Sequence, residues 1–125
     1  MGVKDYFEKT DGLGILATAD SGLQPNIAVY SRPHVMDDGT IAFIMLDRLS
    51  HKNLQSNPHA AYLFVERKGR ENEKLTGKRL YLTKLREEKN SELLYKLRRK
   101  SGKPSQEDRY LVYFKIDRIR PLTGG

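Results

Sequence analysis

Between Asp47 and Lys52 the chain gathers Arg48, Ser50, His51 and Lys52 into six consecutive positions, at the start of a segment that reads as a short helix over 50–55. Two cations, a hydroxyl and an imidazole in that place suit a phosphate group. The first turn of a helix offers backbone N–H groups with no intrahelical acceptor, the helix dipole favours negative charge there, and Arg or Lys adds a full positive charge. The same residues also describe a capped, solvated helix start, because Ser50 is able to accept from N–H groups further along the first turn. Composition leaves both readings open.

Other chemistry is poorly represented. The chain has no Cys, which removes disulfides, thiolate metal sites and redox thiols. His34, His51 and His59 show no metal-ligand spacing with carboxylates, so no metal site is expected. Neither a G-x-S-x-G elbow nor a phosphate-binding P-loop occurs, and the acidic pairs Asp37–Asp38 and Glu87–Glu88 read as a turn and a helix start. No side chain stands out as a catalytic acid, base or nucleophile.

The elements that must position the turn follow from hydrophobic patterning. Strands are expected over 14–19, 26–36, 40–46, 60–66, 78–85 and 109–119, with Pro33 forcing an edge or bulge in the second. Short helices are expected over 5–9, 50–55 and 87–100, the last carrying Leu93, Leu94 and Leu97 on one face. Asp20-Ser21-Gly22 and Asp37-Asp38-Gly39 are hairpin turns, and the charged stretch 67–74 is a loop. Six strands joined mostly by hairpins exclude a doubly wound parallel sheet and define a small, largely antiparallel barrel. The third strand is apolar on both faces, which calls for burial in the barrel or cover by a second copy of the chain.

With 125 residues, 38% of them hydrophobic, the chain fits one domain over its whole length. It lacks a signal-like leader or a span of apolar residues, so a cytoplasmic protein away from membranes is expected. The net charge of +7 is regional: the first 47 residues are balanced or acidic, and the basic excess concentrates towards KLRRKSGK at 96–103. Without interleaved aromatics that run reads as a solvated face and not as a nucleic-acid surface.

The stretch DRLSHKNLQSNPHAAYLF over 47–64, with a basic and hydroxyl cluster, then Asn-Leu, then Asn-Pro, then an apolar strand, resembles the pyridoxamine 5'-phosphate oxidase-like family of FMN-binding split barrels. GILATADSGLQPNIAVY and the ending FKIDRIRPL are similar to that family's first hairpin and last strand. The resemblance implies a six-stranded antiparallel split barrel that forms a homodimer with FMN at the subunit interface. It places Arg48, Ser50 and Lys52 on the phosphate, with His51 and Asn53 adjacent. Asn26, Ala28 and Met45 then lie near the flavin ring, largely through backbone groups. A flavin-dependent oxidoreductase acting on a small molecule or electron donor is the implied activity, with a non-catalytic flavin- or haem-binding module as the alternative. The chain departs from the true oxidase, whose C-terminal substrate signature contains tryptophan, because no Trp occurs.

Overall fold

The computed structural model describes residues 2–67, 75–98 and 107–124. In chain order the elements are α1 (Val3–Lys9), β1 (Gly12–Ala19), β2 (Pro25–Val29), β3 (His34–Val35), β4 (Ile41–Leu46), α2 (Leu49–Ser56), β5 (His59–Glu66), β6 (Gly77–Lys89), α3 (Glu92–Leu97) and β7 (Arg109–Pro121). The strands form one antiparallel sheet in the order β2-β1-β5-β6-β7-β4-β3.

That order makes the sheet curl. Laid flat, seven strands would hold the outer two about 29 Å apart, at about 4.8 Å per spacing. The outer strands β2 and β3 are consecutive in the chain, and the connection through Tyr30–Pro33 spans at most about 18 Å. The two edges must therefore approach each other without pairing, which leaves a barrel with a slit. Six strands were expected. The seventh arises because the second breaks after Val29, at the stretch containing Pro33, and resumes only as the two residues of β3.

The barrel interior is aromatic and branched. Leu16 of β1, Ile41, Phe43 and Met45 of β4, Tyr62 and Phe64 of β5, Leu80 and Leu82 of β6, and Val112 and Phe114 of β7 share one core with Tyr6 and Phe7 of α1. Edge-on ring contacts join Phe7 to Phe64 and Phe43 to Phe114. Gly14 is required where it stands. The Tyr62 hydroxyl crosses above it to donate to the Tyr30 carbonyl at 3.0 Å, and a Cβ there would collide with both groups.

The outer face of β4 is covered from within the chain. Ala42, Leu111 and Tyr113 form a second cluster with Leu94 of α3, joined by Ile44, Leu97 and Met36. The inner face of the third strand is buried in the barrel as expected, and its outer face is covered in part by α3 of the same chain. The third helix is shorter than expected. Glu87, Glu88 and Lys89 continue β6 and pair with Val112, Leu111 and Tyr110 of β7, so the helix begins only after Asn90. Asn90 takes a positive φ of 50° and Ser91 caps α3 by accepting from the Leu94 N–H. The expected end of that helix and most of the basic run and the 67–74 loop lie outside the described residues.

Candidate functional site

Helix α2 crosses from β4 to β5 and packs against β1 and β2. Leu54 enters the core, and the buried Asn53 amide donates to Thr18 Oγ1 of β1 at 3.1 Å. Its N-terminus lacks the cap that the sequence suggests. The N-cap residue is Arg48, with no side-chain hydrogen bond to the first turn. Ser50 is one residue inside the helix, buried, and turned towards β2, where its Oγ accepts from Asn26 Nδ2 at 3.4 Å. Ser50 also hydrogen-bonds the Tyr30 phenol, which opposes the rise that burial imposes on that hydroxyl. An uncapped helix start therefore opens beside a polar chain of Asn26, Ser50 and Tyr30.

A groove of about 500 Å³ lies at this point, with Asn26 and Ala28 of β2, Ile44 and Leu46 of β4, and Arg48 and Ser50 of α2 on its walls. The size and the mix, mostly apolar with a few convergent polar groups, suit a cofactor. Arg48 stands at the helix start, paired with Glu107 at 2.9 Å through two side chains that are each more than half exposed. Such a pair is held weakly. Ile27 and Val29, which alternate outward on the edge strand β2, are 70% and 69% exposed, and Leu49 beside them is 53% exposed. All three border the same groove.

Of the residues singled out in the sequence, Asn26, Ala28, Arg48 and Ser50 come together here. Lys52 is exposed on α2 and does not line the groove. Met45 is wholly buried in the barrel core, because alternation along β4 sends Ile44 and Leu46 to the groove side. The Asn53 side chain is committed to Thr18.

His51 also turns inward. Its Nδ1 lies 2.9 Å from Asp47, its Nε2 3.0 Å from Glu87, and its ring stacks on Tyr110 at 3.9 Å. Gln55 and Lys84 donate to the same Glu87 carboxylate. Burial would raise this carboxyl, yet the bonds from Lys84, Gln55 and His51 hold it down to about 2. The cluster ties the α2 start to β6 and β7, so His51 positions the helix from behind. Sequence reasoning missed this role because Glu87 is 36 residues away and looked like part of a helix. It also missed Ile44 and Leu46 as lining residues, although the alternation of β4 contained the signal.

Among the described residues no group of His, Asp and Glu is arranged to hold a metal ion, and no helix is long and apolar enough to cross a membrane.

No protein-family model matches the sequence, nor does any curated protein. Solved structures do. An FMN-binding protein from Syntrophomonas wolfei subsp. wolfei superposes with a TM-score of 0.74 at 20% identity, over 96% of this chain and 83% of that one. HutZ, the haem storage protein of Vibrio cholerae, gives 0.66 at 15% identity, over 94% and 90%. A candidate pyridoxamine 5'-phosphate oxidase from Lactobacillus delbrueckii gives 0.60 at 17% identity, over 93% and 88%. At these identities the likeness is one of fold. The chain has the mainly antiparallel fold of the pyridoxamine 5'-phosphate oxidase-like split barrels.

Proposed function

We propose that this chain is an FMN-binding flavoprotein that works as a homodimer and acts as a flavin-dependent oxidoreductase on a small molecule in the cytoplasm. The observation that carries the reading is the uncapped start of α2, with Arg48 and Ser50, opening into an apolar groove. The donor set fits the cofactor. Backbone N–H groups, the Ser50 hydroxyl and the Arg48 guanidinium suit a phosphate, with exposed Lys52 one helical turn away adding charge from solvent. Ala28, Ile44 and Leu46 provide an apolar wall for a flat ring, and the β2 backbone and Asn26 provide polar contacts along it. His51 and Asn53 serve by fixing α2, and Met45 by filling the core beneath β4.

FMN, once bound, supplies the hydride or electron transfer. The protein's part is to bind it, orient it and exclude water. A second subunit seated on Ile27, Val29 and Leu49 would close the groove and bury side chains that a monomer leaves in water. The likeness to a haem storage protein supports a rival, a non-catalytic flavin- or haem-binding module.

Titration of the purified protein with FMN, followed by flavin fluorescence, tests the reading. Saturable binding that falls at least tenfold in Arg48→Ala/Lys52→Ala supports it, and unchanged flavin occupancy in that variant overturns the phosphate assignment. Mixing the loaded protein with NADH or NADPH separates the rivals, because a storage module stays oxidised.

A further inference from the structure

We propose that His51 is a proton-controlled latch on α2: with a proton on each ring nitrogen it ties the helix start to β6, and loss of the proton on Nε2 releases Glu87 and weakens the hold of that helix start on an anion. The ring is buried between two carboxylates, its side chain 6% exposed. Nδ1 lies 2.9 Å from Asp47 Oδ1 and Nε2 lies 3.0 Å from Glu87 Oε2. An ionised carboxylate only accepts, so a bond on each side requires a proton on each nitrogen. A neutral imidazole has one proton and gives up one of the two bonds.

Gln55 decides which bond is lost. Its Nε2 lies 3.0 Å from the His51 carbonyl, 3.0 Å from Glu87 Oε1 and 3.1 Å from His51 Nε2. The amide has two hydrogens for these three neighbours. While the ring is an imidazolium, they go to the carbonyl and to Glu87. Once Nε2 is bare, the second hydrogen turns to it from Glu87 with no heavy atom displaced. Glu87 then loses two donors together and keeps Lys84, whose Nζ lies 2.6 Å from Oε1. Asp47 keeps Nδ1, a contact local to the helix start, so the link that opens is the one between α2 and β6.

The change in charge acts in the same direction. Among the described residues the groups facing the ring are Asp47 ahead of α2, Lys84 and Glu87 of β6, and Tyr110 of β7, whose ring stacks on it at 3.9 Å. Lys89 of β6 is within electrostatic reach of Asp47 and Tyr110 and is paired with Asp108 at 3.3 Å, and Lys52, the neighbour of His51 on α2, is exposed. Glu87 titrates at about 2 and stays ionised while the ring changes. With the imidazolium, two carboxylates meet two cations. Without it, one negative charge is left over behind the uncapped helix start and repels an anion bound there. Taking that anion as the FMN phosphate rests on the flavin reading, and the latch itself does not.

The test combines ring-nitrogen NMR of His51 and amide exchange in the FMN-free protein with FMN titrations, each from about pH 5.5 to about pH 9, in the parent, His51→Gln and Glu87→Gln. Both ring nitrogens of the parent should be protonated at neutral pH, and Nε2 should be the one that gives up its proton. Below that midpoint the Lys52 amide, which donates to the Arg48 carbonyl at 2.9 Å, should be better protected than in His51→Gln, and above it the two should converge. FMN should bind the parent about fivefold or more tightly than His51→Gln below the midpoint, with the ratio falling towards one above it. Taking the ratio at each pH cancels the ionisation of the phosphate itself. Glu87→Gln removes one carboxylate from the ring and should bring the midpoint down by about one pH unit or more. The parent spectra and Glu87→Gln carry the test if His51→Gln does not fold. A ring with a single proton at neutral pH, a neutral ring that keeps its Nε2 proton, or a midpoint unmoved in Glu87→Gln overturns the latch. So does an affinity ratio that stays constant across the range in a protein that binds FMN. Should the protein hold no FMN while the NMR and exchange results stand, the flavin reading falls and the latch is supported.

Discussion

Replacing Glu87 by Gln keeps the shape of the side chain and deletes the charge on which three donors converge. Lys84 Nζ lies 2.6 Å from this carboxylate, Gln55 Nε2 3.0 Å and His51 Nε2 3.0 Å, and the side chain is 24% exposed. Burial alone would raise the carboxyl, so the donors outweigh it in holding the group at about 2 against an ordinary 4.5. That gap corresponds to about 3 kcal/mol of stability. Because the folded value is the lower one, this contribution is complete above pH 4.5 and is lost as pH falls from there to about 2. Urea unfolding at pH 7 and at steps down to pH 3 should show Glu87→Gln less stable by roughly 2–3 kcal/mol at neutrality, with a shallower fall in acid. A variant within about 0.5 kcal/mol of the parent at pH 7, with the same acid slope, would refute the clamp.

Other outcomes follow from particular contacts. Gly14→Ala forces a methyl group into the Tyr62 hydroxyl and the Tyr30 carbonyl, and should lower stability by about 2–4 kcal/mol in the same assay. Charge placed on the exposed β2 face by Ile27→Glu and Val29→Glu should convert a dimer to a monomer by light scattering while the fold survives, since both side chains point to solvent in one chain. A parent protein that is already monomeric at micromolar concentration would sink the dimer. Asn53→Ala leaves Thr18 Oγ1 without its donor and opens space beneath α2, and should cost about 1–2 kcal/mol with weaker FMN binding as the helix start loosens.

The core strands and α2 were legible because their signals are local. Alternation in β1, the apolar run of β4 and the Asn57-Pro58 stop after α2 are all decided within a few residues of chain. The end of β6 was not legible, since Arg86-Glu87-Glu88-Lys89 carries a helix-like composition and only pairing with β7 makes it a strand. That misreading hid the carboxylate that fixes His51. Ser50 looked like a cap because its type and place allow one; the contact with Asn26, 24 residues earlier, decides otherwise.

The most direct test of the central claim is the visible absorption spectrum of the purified protein after addition of FMN and removal of what stays unbound. The proposed flavoprotein retains flavin bands at about one FMN per chain, and loses them in Arg48→Ala/Lys52→Ala. An empty spectrum from folded parent protein contradicts the claim and leaves the groove at the start of α2 to another ligand.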